Sequence, residues 1–522
     1  MKRMMLVSGV CALALNACVM VNSQEKTTGV VFAPNVQPAP VSISVESNTL
    51  VRLDRSQTVT IACLDGSERA AEWAEARFEE WFRLAKTGWL FPSVNAPRVA
   101  AERFAGAPIE GGDEAYELTA RPEGVTVRAN TLQGVRYALY TLRQTILAMP
   151  RDVRKIEWYA MPALKVKDAP AMKFRGIHIG WYVNRTTPEK IEKRIRLAAY
   201  LKYNYAVIEP WGTFRSERHP WWGWKEGTMT PAVTRKLVKL GKELGITLIP
   251  QIPAFGHASM GITSPGRHAI LDAHGEYAPL FESLNGWNWC ISNPETLKVQ
   301  FELIDELMEL FDNPPYFHIG CDEPAKPNCP VCLAADYRAL TIRHITALHD
   351  GLKARGTTPM LWHDMFIKKR DPKWPGSVAN GTDESITILD ELPRDMVICD
   401  WVYGLKCPEG NYASLKYFKD KGFEVLSCPC HKVDNTMVQR ESVLKLGLKG
   451  MLVTTWGFGQ GKEKGKVFAD TFAGGAAAAW GSTYEESPLW KWHYDLDLIR
   501  NLRDVVHDME LEDHNATGTY LD

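Results

Sequence analysis

The sequence carries almost no excess charge: 61 Lys and Arg stand against 62 Asp and Glu among 522 residues, a formal net charge of −1. That excludes the basic footprint with which proteins hold nucleic acid and argues against a surface held to anionic lipid by charge alone. Beyond the first fifteen residues no stretch is apolar for the length of a bilayer span. Cysteine is scarce, 11 in all. Nine of these follow Cys18, an odd number that does not fit a complete disulfide framework, and a chain of this size needs no such staples.

What is present is an ordinary globular composition, 45% hydrophobic and 24% charged, with one outlying number, 18 tryptophans. That many indoles invites a search for aromatic walls around a binding site. At roughly 150 residues per domain three or four domains would fit, but an α/β barrel alone takes about 250, so two folded units plus end pieces are expected.

The N-terminus reads as an address. Lys2 and Arg3 precede an apolar run from Met4 to Leu15, too short for a mature membrane helix. The run ends in Leu15-Asn16-Ala17-Cys18, which resembles a bacterial lipoprotein cleavage box with Cys18 lipidated; an ordinary signal peptide cut nearby is the alternative. Either reading makes the protein exported, lipid-anchored in the cell envelope on the first, with membrane contact only through that anchor. Residues 1–18 are thus the signal peptide and 19–40 a polar, Pro/Val-rich tether.

The remainder divides by pattern. Residues 41–163 mix short β-rich and helical runs. Tyr116–Ala120, the turn Pro122-Glu123-Gly124 and Val125–Ala129 predict a hairpin. Val135, Leu139, Leu142 and Ile146 predict a helix over Gly134–Leu147. Leu164–Pro170 reads as a linker. From 171 to 522, eight strand candidates alternate with amphipathic helices: Phe174–Ile179, Tyr205–Ile208, Thr247–Ile252, Tyr316–Ile319, Thr358–Trp362, Met396–Trp401, Phe423–Ser427 and Gly450–Thr455. Alternation implies parallel strands with right-handed crossovers. Eight units over about 310 residues favour a closed barrel over an open doubly wound sheet, and the sheet is weakened further because no Gly-rich phosphate fingerprint follows the first strand. The expected fold class is therefore α/β, a (β/α)8 TIM-type barrel preceded by a small α+β accessory domain, with a C-terminal helical tail.

In such a barrel the chemistry gathers at the carboxyl ends of the strands. Those ends carry Phe174-Arg175-Gly176 leading to His178, Phe255-Gly256-His257, His318-Ile319-Gly320-Cys321-Asp322-Glu323, Trp362-His363-Asp364, Asp400-Trp401-Val402-Tyr403 and Trp456. Singly, each has a plain reading as packing, surface charge or internal ion pair. Converging on one cavity, apolar faces, one cation and two adjacent carboxylates suit a pyranose ring, whose bond cleavage needs an acid.

These motifs, in this order, resemble a glycoside hydrolase family 20 β-N-acetylhexosaminidase over nearly the whole chain after the tether. His318–Glu323 is similar to the family's strand-four signature, with Cys321 in place of a second glycine. Lys326 and Cys329-Pro330-Val331-Cys332, Trp289–Thr296, Phe174–Gly176 and, upstream, Glu114–Leu118 through Thr141–Gln144 add to the resemblance.

It implies removal of terminal β-linked N-acetylglucosamine or N-acetylgalactosamine from glycans, with retention and no required cofactor. The substrate's own 2-acetamido oxygen would be the nucleophile, an exception to the two-carboxylate scheme. By position, Glu323 would be the general acid and then base, with a raised pKa. Asp322 would orient the acetamido group and stabilise an oxazolinium. Arg175 would bind ring hydroxyls, Trp362, Trp401 and Trp456 would wall the pocket, and His257 would lie beneath the acids.

There are departures. The family's tyrosine after strand seven is absent from Ser427–Asp434, and Tyr403 is the candidate substitute. The acid usual after Trp456 is replaced by Gly457-Phe458-Gly459, and Glu209-Pro210-Trp211-Gly212 lacks the usual His and Asp. Trp221-Trp222-Gly223-Trp224 either stacks on a second sugar or covers the barrel. The CxxC spacing, with Cys290 and Cys321 nearby, admits a structural zinc at Cys290/Cys329/Cys332, against a disulfide or free buried thiols. An endo-acting acetamido-assisted glycosidase and a non-catalytic carbohydrate-binding lipoprotein are the other functional readings.

Overall fold

A computed structural model describes residues 36–87, 95–152, 155–182, 186–223, 227–258, 270–271, 274–282, 286–403, 412–430, 432–456 and 464–484. The signal peptide, the tether up to residue 35 and the C-terminal tail lie outside these.

The first unit runs β1 (Ser42–Leu53), β2 (Thr58–Cys63), α1 (Ser67–Thr87), β3 (Arg98–Ala101), β4 (Tyr116–Arg121), β5 (Gly124–Ala129), α2 (Leu132–Gln144), β6 (Leu147–Asp152) and β7 (Lys155–Asp168). Its sheet has the order β1-β7-β4-β5-β2-β3, with β6 on β7. The expected hairpin is β4–β5, in register from Tyr116 opposite Ala129 to Arg121 opposite Gly124. Its residues alternate in burial along each strand, as a sheet with one covered face requires. The predicted helix begins earlier than expected, at Leu132, because the Thr131 side chain caps its N-terminus.

Two boundaries read from sequence are corrected. Leu164–Asp168 is no linker; it is the end of β7, paired on both sides with β1 and β4. The last tether residues are also part of the fold. Gln37 is buried, and its backbone exchanges hydrogen bonds with the Gln144 amide, 2.6 Å from N–H to Oε1 and 2.8 Å from Nε2 to the carbonyl.

The second unit runs β8 (Phe174–Tyr182), α3 (Pro188–Tyr200), β9 (Tyr205–Trp211), α4 (Pro231–Leu244), β10 (Thr247–Pro250), α5 (Pro294–Leu310), β11 (Tyr316–His318), α6 (Pro330–Leu333), α7 (Tyr337–Ala354), β12 (Thr358–Trp362), β13 (Val397–Trp401), α8 (Ala413–Asp420), β14 (Glu424–Cys428), α9 (Val433–Leu446), β15 (Gly450–Val453) and α10 (Lys464–Trp480). The helices start where their sequences say. Thr187, Thr230 and Asn293 cap α3, α4 and α5, each followed by a proline in the first turn. All eight strands are parallel, in the order β10-β9-β8-β15-β14-β13-β12-β11. The ring closes through Gln251 beside His318, with Ile252 and Ala254 N–H groups donating to the His318 and Ile319 carbonyls at 3.0 Å each. This is the expected barrel.

Its interior is packed by Phe174, Val207, Ile249, Met360, Trp362, Val397, Cys399, Trp401, Leu426, Cys428 and Leu452, the layered filling such a barrel needs. The two units meet at the amino ends of the strands. There Lys202 Nζ lies 2.9 Å from Asp168 Oδ2, both side chains wholly buried, and Trp480 Nε1 donates to Asp168 Oδ1 at 2.9 Å.

Candidate active site

The carboxyl end of the barrel is floored by polar side chains from its first three strands. His178 Nε2 is 2.9 Å from Glu209 Oε2, and Gln251 Nε2 donates to Glu209 Oε1 at 2.6 Å. All three side chains are buried. Burial, together with the charge of Asp322 above it, raises the Glu209 carboxyl from its ordinary range against the hydrogen bond from His178.

Above this floor the strand-four signature turns sharply. Gly320, Cys321 and Glu323 have φ of +64°, +70° and +45°, and His257 has +58°. Glycine takes such angles freely, whereas each other residue pays for them with about 1–3 kcal/mol of strain. Cys321, where the resemblance led us to expect a second glycine, therefore holds a costly conformation. The neighbouring chain passes so close that a Cβ on Gly256 would lie 2.1 Å from the Asp322 carbonyl oxygen. This turn buries Asp322 while leaving the Glu323 side chain 48% exposed. Two adjacent carboxyls are thus aimed into different environments.

His257 sits between them, its Nε2 3.3 Å from Asp322 Oδ2 and 3.4 Å from Glu323 Oε2. Burial alone would lower its pKa, but the two carboxylates win and raise it to about 10. The contact with His257 in turn holds the Glu323 carboxyl below the usual carboxylate range. The expectation of a raised Glu323 pKa is therefore corrected: it counted Asp322 and apolar walls but not an imidazolium in contact. Asp364, fully buried, completes the group. Burial and then the charge of Asp322 push it up to about 7, and its Oδ2 accepts the Glu323 backbone N–H at 3.0 Å and the Asn380 amide at 2.9 Å.

Aromatic rings stand around these acids. Trp362 lies 4.8 Å from Trp401 and 5.6 Å from Trp456 between ring centroids. Trp456 Nε1 donates to the Tyr403 hydroxyl at 2.6 Å, and that hydroxyl is 3.1 Å from Thr454 Oγ1. Across the cavity Trp287 and Trp211 lie 4.2 Å and 5.3 Å from His257, and Trp211 stacks on Tyr182.

The structure therefore brings together Asp322, Glu323, His257, Trp362, Trp401, Tyr403 and Trp456. It does not bring Arg175. That guanidinium is 1% exposed and points out of the barrel at the other end of the strand. It donates to both Glu114 carboxylate oxygens at 2.8 and 3.0 Å, the Tyr137 hydroxyl at 2.6 Å and the Met172 and Lys202 carbonyls. Arg175 ties the two units together and is corrected from a sugar ligand to a domain anchor. Nor does Cys321 join the other thiols; its Sγ faces the Ile319 carbonyl at 3.6 Å. Trp221 and Trp222 are buried, Trp221 stacked on Tyr277, so they cover the barrel; Trp224 lies outside the described residues. Sequence reasoning passed over Glu209, Gln251, Trp211 and Trp287 as site residues. Strand parity could have found Glu209, two residues after the inward Val207.

The pattern of Glycosyl hydrolase family 20, catalytic domain, matches residues 204–487, and that of the family's domain 2 matches residues 33–169. The chain belongs to glycoside hydrolase family 20. A β-hexosaminidase of Porphyromonas gingivalis is 24% identical over 344 residues, 62% of this chain and 43% of that protein. The chitooligosaccharidolytic β-N-acetylglucosaminidase of Ostrinia furnacalis is 24% identical over 352 residues, 60% of this chain and 54% of that protein. The chain spans about half the length of these relatives. Among solved structures, the β-N-acetylhexosaminidase of Bacteroides fragilis superimposes with a TM-score of 0.61 at 17% identity, covering 93% of this chain and 99% of that one. The fold is thus the family's.

The two carboxylates raise the His257 pKa to about 10, which sets a proton donor against Glu323 Oε2. The alkaline limb of kcat/KM should therefore lie well above the ordinary Glu range. In His257→Gln, where Glu323 alone holds the proton, the limb should move to lower pH by roughly a unit or more. A pH–rate profile checks this; an unmoved limb would separate His257 from the proton.

Proposed function

We propose that the protein is a retaining exo-β-N-acetylhexosaminidase that uses the substrate's acetamido oxygen as nucleophile. The observation that carries the reading is the His257-bridged pair of adjacent acids inside a ring of indoles. Asp322 and Glu323 follow one another in sequence and share His257 Nε2 at 3.3 and 3.4 Å, an arrangement that suits an acid with a partner for the neighbouring acetamido group rather than an acid facing an enzymic nucleophile. They can serve one face and the group beside it.

The acetamido carbonyl oxygen attacks C1 as the glycosidic C1–O bond breaks, and the leaving oxygen takes a proton from Glu323, which draws it from the His257 imidazolium in contact with it. Asp322, buried beside Glu323, supports the charge of the oxazolinium. Water then adds to C1 as the C1–O bond to the acetamido oxygen breaks and the acetamide is regenerated, and the water gives its proton to Glu323. Trp401 and Trp456 stack on the ring and the acetamide methyl, and Trp362, wholly buried, backs both of them. The Tyr403 hydroxyl, held beside Trp456, is the candidate donor to the acetamido carbonyl. The relatives named for β-hexosaminidase and β-N-acetylglucosaminidase activity support the substrate class, and glycans or glycoconjugates are the partners. The catalytic residues include no metal ligand, and the chemistry requires no cofactor.

The test is a side-by-side rate comparison on aryl β-N-acetylglucosaminide, β-N-acetylgalactosaminide and plain β-glucoside. The glucoside should be essentially inert, and equal turnover of glucoside and N-acetylglucosaminide would overturn the mechanism. We also infer export and a lipid anchor at Cys18, supported by Lys2-Arg3, the apolar run and the Leu15–Cys18 box. Labelled palmitate should enter the wild type and not Cys18→Ser; equal labelling would remove the anchor.

A further inference from the structure

The loops on either side of the acids are laced together. Trp287 Nε1 donates to the Glu323 carbonyl at 2.7 Å. The Asn288 side chain pairs with the Ala325 backbone in both directions, at 2.8 and 3.0 Å. At the far end of this lacing lie three thiols. Cys290 Sγ is 3.8 Å from both Cys329 Sγ and Cys332 Sγ, and all three sulfurs lie within 4.8 Å of one another.

A disulfide would set two of them about 2.05 Å apart, and three thiols in one cluster leave an odd one over. A tetrahedral zinc ion with Zn–S bonds of about 2.3 Å holds its sulfurs roughly 3.8 Å apart, the separation found here twice. The surroundings suit thiolates. The Cys332 backbone N–H donates to Cys329 Sγ at 3.3 Å, and the Ser292 and Asn293 N–H groups face the Cys332 and Cys290 sulfurs.

A fourth donor is present. Glu282 is 2% exposed. Its Oε2 accepts the Asn328 and Cys329 N–H groups at 2.8 and 3.3 Å, which fixes the carboxylate beside Cys332. Its Oε1 is buried and meets no N–H or O–H donor among the described residues, only the Cys332 thiol lying against the carboxylate, and a buried carboxylate oxygen so placed is costly unless something better meets it. Three soft thiolates and one carboxylate oxygen would fill a tetrahedron without an open position, as a structural zinc ion requires.

We propose that Cys290, Cys329, Cys332 and Glu282 bind one zinc ion that clamps together the two loops bordering Asp322 and Glu323. Binding displaces the three thiol protons to solvent. By closing the lacing at its far end, the ion keeps the Trp287 indole on the Glu323 carbonyl and against His257. The proposal rests on the cluster's geometry and stands apart from the reaction assigned above.

The experiment is elemental analysis of the purified full chain in chelator-free buffer, with zinc X-ray absorption. About one zinc per chain is expected, with three sulfurs near 2.3 Å and one lighter atom near 2.0 Å. Cys329→Ser and Cys332→Ser should lower the zinc content at least tenfold, and Cys63→Ser, in the first unit, should leave it unchanged. Should the cysteine variants fail to fold, mercurial titration of the wild type decides: modification of the cluster should release zinc in step with thiol loss. A metal-free protein that takes up no zinc ion from solution, or a disulfide between any two of the three cysteines found by peptide mass mapping, would overturn the proposal.

Discussion

Glu323→Gln should slow hydrolysis of glycosides with sugar leaving groups by roughly 10²–10⁴-fold, and the first step on an activated nitrophenyl glycoside far less. The amide cannot donate a proton, and a nitrophenolate hardly needs one. Asp322→Asn keeps the acid but removes the buried charge beside the forming oxazolinium, so activated and unactivated substrates should slow together, by a similar two or more orders of magnitude. The measurement is the ratio of rates on the two substrate classes for each variant, with bond breaking shown to limit the rate. Equal slowing by Glu323→Gln would remove it as the acid. Leaving-group dependence in Asp322→Asn alone would reverse the two roles. The geometry favours the stated assignment, because Glu323 is half exposed, as a donor to a departing group must be, whereas Asp322 is buried.

The second large effect is on stability. Arg175→Met keeps the aliphatic stem but removes the group that satisfies Glu114, Tyr137 and two carbonyls. Breaking a buried ion pair from one side costs about 3–5 kcal/mol. Because Glu114 keeps 23% of its side-chain exposure and can recover some water, the lower end is expected, about 3 kcal/mol. The thermal midpoint should fall clearly while KM of the surviving folded enzyme stays unchanged. A surface pair such as Arg235–Glu309 should cost under about 1 kcal/mol when broken. A raised KM with an unmoved midpoint would return Arg175 to the sugar site.

The same residue shows where sequence reading stops. The eight barrel strands were legible because each is a short apolar run between amphipathic stretches, and Thr358–Trp362 came out with the observed bounds. The acids and their neighbours were legible because Gly320, Asp322 and Glu323 stand together after a strand. Which way a strand residue points was the weaker step. Phe174 packs inside the barrel and His178 forms the floor, so by the period of two Arg175 must point outward; parity, not proximity to the motif, decides its place. Asp400 obeys the same rule, lying behind the wall between the inward Cys399 and Trp401, where its Oδ1 is 3.2 Å from His363 Nε2. The charge state of Glu323 was not legible either, since it depends on His257 arriving from another strand end within 3.4 Å. β7 runs on through Pro162, which is accommodated at the β1 irregularity between Glu46 and Leu50, and so includes most of the stretch expected to be a linker.

The most direct test of acetamido participation is kcat/KM for one aryl glucosaminide carrying N-acetyl, N-fluoroacetyl, N-difluoroacetyl and N-trifluoroacetyl groups in turn. Each fluorine withdraws electrons from the carbonyl oxygen with little change in size, so an oxygen that attacks C1 must lose nucleophilicity at every step. The reading advanced here predicts a steep, monotonic fall along the series. A flat series, with all four substrates turned over at similar rates, would show that the acetamido oxygen does not attack and that another nucleophile does.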